Sequence, residues 1–259
     1  RYFKALMDAT LLAGHGSLRA ESGKAMVQIA NILRKEGPSS IVEAGFINYS
    51  HPTFAEAVTK CVQQGATRII IQPYLLIDGY FSQIFIPRLI KEVVSIRPDV
   101  QFLIAGALGF HSSLVDLVRH RAMTALGDYS LDETGLLIMA HGTPKTGANE
   151  PIENLVNYLQ KTFSEVVVGY LEINKPTIPD AADDLAARGI KRIITLPYFL
   201  HLGEHVTEDL PEIVNSVQQR HSDMTYLLAE HLGFDSRLTN VVKSRLAECL
   251  LNTTNDYTP

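Results

Sequence analysis

Short apolar runs alternate along this chain with longer stretches in which apolar residues recur every three or four positions. The runs over 9–13, 41–46, 68–74 and 101–105 are nearly continuous in Ala, Val, Ile and Leu and close on or beside Gly or Pro. Such largely apolar runs predict parallel strands buried on both faces. Between them, 22–35 and 54–64 carry the helical period. The pattern starts again after a polar stretch at 126–135, with strands predicted over 135–140, 166–170, 192–200 and 225–229. Strand and helix in strict alternation predict an α/β fold of two tandem Rossmann-like lobes, each a four-stranded parallel sheet flanked by helices. The lobes are expected over 1–127 and 135–251, with a flexible polar tail over 252–259.

The two halves are copies. Gly45, Pro52-Thr53, Gly65, Arg68-Ile69-Ile70, Pro73-Tyr74, Gly79, Pro87 and Leu108-Gly109-Phe110 recur 124 residues later, from Gly169 to Leu232-Gly233-Phe234. His15-Gly16 recurs 126 residues later as His141-Gly142. A period this long with only two copies means a duplicated domain rather than a repeat array.

Composition narrows the function classes. With 259 residues, 46% hydrophobic and 20% charged, the chain can bury two sizeable cores. No apolar run approaches the roughly 20 residues of a membrane span, and no signal-peptide pattern opens the sequence, so a cytoplasmic location is expected. The net charge of −5 argues against a nucleic-acid surface and requires a local basic patch for any anionic ligand. Cys61 and Cys249 form no C-x-x-C pair, which leaves neither a cluster nor a disulfide framework.

The chemistry lies where the copies differ. In open α/β sheets ligands gather outside the carboxyl ends of the strands. His141 follows the first strand of the second half, Glu172 the second, and His205 lies on the loop after the third. Two imidazoles and a carboxylate suit transient binding of Fe²⁺, Co²⁺, Ni²⁺ or Zn²⁺. The first half offers His15, Asn48 and Phe81 at these positions, a degenerate set that cannot hold a divalent cation. A His-Gly pair after a strand also reads as a plain tight turn; the convergence of three ligands on one sheet edge is what favours a metal site. His51, His111, His120, His221 and His231 scatter over helix starts and loops and receive no role. His201-Leu202-Gly203-Glu204-His205 matches the inverted zinc-peptidase pattern, but Gly203 and the nearby Pro197 favour a loop over the single helix face that pattern needs. Ala140-His141-Gly142-Thr143 lacks the arginine that a phosphatase histidine would follow.

Leu12-Ala13-Gly14-His15-Gly16-Ser17-Leu18-Arg19, the two G-x-x-R-I-I segments ending at Leu76 and Leu200, and Gly203-Glu204-His205 followed by Asp209-Leu210-Pro211 resemble the class II tetrapyrrole chelatases, and within them the sirohydrochlorin cobaltochelatase and ferrochelatase group. The resemblance spans 9–250. It implies ATP-independent insertion of Co²⁺ or Fe²⁺ into sirohydrochlorin, on the route to cobalamin or sirohaem, in a cleft between the lobes. Long members commonly keep the metal-binding histidines in the first lobe, whereas Phe81 stands there in this chain. The distribution is similar to that of the anaerobic cobaltochelatases, whose site lies in the C-terminal half.

The resemblance implies that His141, Glu172 and His205 bind the metal and act in catalysis, with His141 or Glu172 taking the pyrrole protons. His15, Arg19, Lys145, Lys175 and His201 are expected to meet the substrate, the cations because the macrocycle is rimmed by carboxylates. His201 is open to a fourth-ligand, proton-shuttle or wall role. No cofactor is expected beyond the substrate metal, for which Ni²⁺ or Zn²⁺ could substitute in vitro. Nucleic acid and membrane are not expected partners, and a monomer is expected rather than an obligate dimer. The rival reading is a non-catalytic tetrapyrrole or metal carrier.

Overall fold

Eight strands form where the apolar runs place them. The structure, a computed structural model, describes residues 7–19, 21–252 and 256–257. β1 (Asp8–Gly14), β2 (Ile41–Phe46), β3 (Arg68–Pro73) and β4 (Gln101–Ile104) pair in parallel in the order β2-β1-β3-β4. β5 (Thr134–Ala140), β6 (Glu165–Tyr170), β7 (Arg192–Pro197) and β8 (Thr225–Leu228) repeat that order as β6-β5-β7-β8. The run over 192–200 is shorter as a strand than expected. It ends at Pro197, after which the Tyr198 N–H bonds back to the Met139 carbonyl.

Helices α1 (Lys24–Glu36), α2 (Phe54–Gln63), α3 (Ile86–Ile96) and α4 (Ser112–Leu126) follow the first four strands. Helices α5 (Glu150–Leu159), α6 (Ile178–Ala187), α7 (Leu210–Arg220) and α8 (Arg237–Leu251) follow the second four. The start of α2 is fixed by a capping box in which Thr53 and Glu56 satisfy each other's backbone N–H; Thr177 and Asp180 do the same for α6. In the second unit, Leu137, Met139 and Ile193 on one sheet face pack against Ile178, Ala182 and Leu185 of α6 and Leu210, Val214 and Val217 of α7. In the first, Leu11, Ile69 and Ile71 meet α2 and α3 through Phe54, Val58, Cys61, Ile86 and Ile90. Burial pushes the Cys61 thiol up to about 12, so it stays protonated and offers no thiolate to a metal.

The compact units do not follow the copies of the sequence. α4 packs on β7 and β8, while α8 packs on α1 and β3. One unit therefore comprises residues 1–109 with 236–259, and the other 110–235. The expected boundary at 127 marks the end of the duplicated sequence and of α4, whereas the packing divides the chain before α4 and before α8. Residues 256–257, expected in a flexible tail, form a short strand β9 (Asp256–Tyr257) antiparallel to β4. Residues 253–255 and 258–259 of that tail lie outside the described residues. Among the described residues no helix is long and apolar enough to cross a membrane.

Candidate functional site

The strand order 2-1-3-4 sends the chain out on one side of the central strand and back on the other, leaving a crevice at the carboxyl ends of the central strand and its neighbours. In the second unit that edge is built by the loops after β5, β6 and β7. The ladder between β5 and β6 continues past both strands, with Leu171 N donating to Ala140 O at 2.8 Å and Glu172 N to His141 O at 2.9 Å. Asn174 ties the loops once more, its Oδ1 accepting from Thr143 N at 2.6 Å. Between these bonds Ile173 is held at φ 66°, a left-handed backbone unusual for a β-branched residue. Such strain persists only where the surroundings impose it, and here it sits beside the candidate carboxylate.

Gly142 explains the His-Gly pair. Its φ is 100°, and a Cβ there would lie 2.0 Å from the Glu172 carbonyl oxygen. Glycine lets the two loops close on each other and brings the imidazole and the carboxylate together. The same contact recurs in the first unit, where a Cβ on Gly16 would meet the Asn48 carbonyl oxygen at 2.0 Å.

His141 is the hub of the second-unit cluster. Its Nε2 stands 3.9 Å from Glu172 Oε2, and its ring centroid 5.1 Å from that of His205. Nδ1 lies 3.1 Å from Gly142 O. A carbonyl only accepts, so Nδ1 carries the proton and Nε2 keeps its lone pair. All three side chains are partly open to solvent, with His141 at 45%, Glu172 at 56% and His205 at 40%. A tetrahedral metal with bonds of about 2.1 Å sets its ligand atoms about 3.4 Å apart, so the His141–Glu172 pair must close by about 0.5 Å to share one ion. Among the described residues no group of three or more His, Cys, Asp or Glu side chains is spaced so that it could hold a metal ion as it stands. The three side chains share one solvent-open edge without forming a closed set.

His205, expected on a loop, instead opens a π-helical turn (His205–Asp209) that runs straight into α7. Single π turns often mark functional positions in helices. His201 sits on the bend before it, so the two histidines of the H-x-x-E-H pattern do not share a helix face. His201 is half-buried there.

The first unit builds the same edge from different chemistry. Asn48 Oδ1 accepts from Gly16 N at 2.8 Å and its Nδ2 lies 3.3 Å from His15 Nδ1, so this side chain turns inward. Phe81 opens a matching π turn (Phe81–Phe85) and meets the His15 ring edge-on, with centroids 4.3 Å apart. An aromatic ring thus fills the place that an imidazole holds in the second unit.

The cationic candidates divide. Arg19 and Lys145 occupy equivalent bends, each with its backbone N–H donating to the hydroxyl two residues earlier, on Ser17 and Thr143. Both are exposed. Lys175 is drawn instead to Asp180 in the α6 capping box, at 3.5 Å. Its counterpart His51 is likewise paired with Glu56, at 2.9 Å. Other histidines given no role have structural partners: His111 Nδ1 caps α4 by accepting from Ser113 N, and His221 pairs with Asp183 at 2.7 Å. Asp209, named above only as part of a motif and given no role, has its Oδ2 2.6 Å from His205 Nδ1. The segment reads as a loop, and the i, i+4 spacing that signals the pair has meaning only on a helix.

Comparison with known proteins gives this geometry a context. A sirohydrochlorin cobaltochelatase of Priestia megaterium is 25% identical over 248 residues, covering 94% of this chain and 80% of its own. A sirohydrochlorin ferrochelatase of the same organism is 26% identical over 256 residues, covering 97% of this chain and 94% of its own. The structure of SirB from Bacillus subtilis with Fe³⁺ shares the fold with a TM-score of 0.83 at 22% identity, covering 98% of this chain and 100% of that one. The CbiX family model matches residues 9–125 and again residues 135–249, one copy on each half of the duplicated sequence, and the chain belongs to the CbiX family.

Proposed function

We propose that this chain inserts a divalent metal, Co²⁺ or Fe²⁺, into sirohydrochlorin without nucleotide hydrolysis, and that His141, Glu172 and His205 carry the reaction. The observation that supports this most is the contrast within the duplicated fold. One strand-end edge gathers two imidazoles and a carboxylate around His141, while the other holds Asn48 and Phe81 in the same places. Metal insertion needs a site that holds the ion weakly and a base for the pyrrole N–H protons as the metal enters. Nitrogen and oxygen ligands half open to water meet the first need. His141 Nε2 or the Glu172 carboxylate, 3.9 Å apart, meets the second.

Arg19, Lys145 and Lys175 are assigned to the carboxylate rim of the macrocycle. The exposed Lys175–Asp180 pair is screened by water and yields readily to a substrate carboxylate. His15 is assigned to substrate rather than metal, because Asn48 and Phe81 add no second ligand to it. His201 is assigned to the wall of the second-unit site.

The test is turnover. Sirohydrochlorin and Co²⁺ or Fe²⁺ are mixed with catalytic amounts of protein and the absorption spectrum is followed. Many equivalents of metallated product are expected, and conversion that halts at one equivalent would instead identify a carrier. His205→Ala should slow insertion on the order of 10²-fold or more, as loss of a group that touches the reacting metal does. Phe81→Ala should alter substrate fit without comparable loss of rate, and equal losses from both variants with folding intact would sink the assignment to the second unit.

A further inference from the structure

We propose that Asp209 is a positioning residue for the metal site: its carboxylate fixes the tautomer and ring orientation of His205, so that Nε2 presents its lone pair to the incoming metal. The proposal rests on the assignment of His205 as a ligand. Asp209 Oδ2 lies 2.6 Å from His205 Nδ1, across the π turn that these two residues begin and end. A carboxylate is an acceptor only, so Nδ1 is the donor and Nε2 remains free. Charge-assisted bonds of this kind are short and directional. Carboxylates behind metal-bound imidazoles hold the ring and raise its basicity.

Two plainer roles for Asp209 fit less well. It stands at the start of α7, where an aspartate often caps the helix, yet its side chain makes no capping bond. A merely solvated ion pair, with both side chains about 40% exposed, would be indifferent to which copy of the fold it occupies. The duplication shows otherwise. The residues 124 positions earlier are Phe81 and Phe85, at the ends of an equally long π turn, with ring centroids 5.7 Å apart. The turn therefore forms without the acid. Where the imidazole is present the carboxylate stands behind it, and where the imidazole is gone the carboxylate is gone too.

The first-unit turn also indicates which substitutions the fold tolerates: an apolar residue at position 209 repeats what Phe85 does in the other copy. Asp209→Leu and Asp209→Asn, with Asp209→Glu as the conservative variant, are to be compared with the wild type in two measurements that need no turnover. Nitrogen-15 NMR of the metal-free protein reads the His205 tautomer. The Nδ1–H form should dominate in the wild type and give way to a mixture in Asp209→Leu and Asp209→Asn. Calorimetric titration with Co²⁺ should show affinity lower by about 10- to 100-fold in these two variants, with partial recovery in Asp209→Glu. An unchanged tautomer and unchanged Co²⁺ affinity in folded Asp209→Leu and Asp209→Asn would overturn the positioning role. His205→Ala separates the two layers of inference. Wild-type Co²⁺ affinity in that variant removes His205 as a ligand and the proposal with it, whereas lost affinity there beside unaltered Asp209 variants overturns the role of Asp209 alone.

Discussion

Replacing Gly142 by alanine adds one methyl group at the junction of the two loops that carry His141 and Glu172. The added Cβ would lie 2.0 Å from the Glu172 carbonyl oxygen, and contacts below 3.0 Å are essentially never found, so the loops must part by at least 1.0 Å. The same methyl would stand 3.1 Å from Asn174 Oδ1, the atom that ties the loops together. Parting the loops widens a His141–Glu172 gap that must instead close by about 0.5 Å for the pair to share a metal. A misplacement near 1 Å costs on the order of 10²-fold in rate. The left-handed φ of 100° adds a backbone penalty of about 1–2 kcal/mol for any residue with a Cβ. Gly189→Ala separates the two effects. That glycine also has a positive φ, 83°, but its Cβ would meet nothing within 4 Å. Gly189→Ala should lower Tm by about 2–4 °C per kcal/mol and leave insertion kinetics and Co²⁺ affinity as in the wild type. Gly142→Ala should lower Tm further, weaken Co²⁺ binding in calorimetry and cut kcat/KM for cobalt insertion about 10²-fold. If Gly142→Ala matched Gly189→Ala in metal affinity and turnover to within about twofold, the geometric argument for the paired loops would be refuted.

Co²⁺ titration should also separate the two His-Gly turns. His141→Ala should lose more than the about 10- to 100-fold in affinity that removal of an outer partner costs, while His15→Ala should bind Co²⁺ as the wild type does and raise KM for sirohydrochlorin. An equal loss in both would mean that His15 is a ligand. Stability should carry a histidine signature of its own. Burial, and then the Arg121 guanidinium, hold the His231 imidazole below its ordinary value of 6.5. The folded state therefore binds fewer protons than the unfolded state as pH falls below 6.5, so this contribution is complete above 6.5 and drains away on acidification. His231→Gln should flatten the fall of Tm below pH 6.5, and an unaltered slope would exclude His231 as its source.

Much of this protein is written in its sequence because the physics involved is local. The run over 41–46, apolar but for Glu43, reads as β2 to the residue, since a parallel strand covered on both faces shows little polar alternation. Thr53-x-x-Glu56 and Thr177-x-x-Asp180 mark helix starts because a cap is satisfied within one turn. The candidate ligands were legible because the duplication holds the scaffold constant while the residues at its strand ends change. Their role behind the surface was not: Asp209 became the partner of His205 only once the segment was seen to be a π turn rather than a loop.

What the sequence determined by itself is the eight parallel strands, their alternation with helices and the edge on which His141, Glu172 and His205 fall. What only the tertiary structure decided is which sheet the last helix of each copy covers. α4 and α8 both follow a Leu-Gly-Phe turn and both bury an apolar face, yet α4 packs on β7 and β8 and α8 on β3. Nothing in either helix names its sheet, because hydrophobic burial depends on the area removed from water and carries no direction. The pattern of a helix says that a face must be covered; the choice of cover belongs to the whole chain.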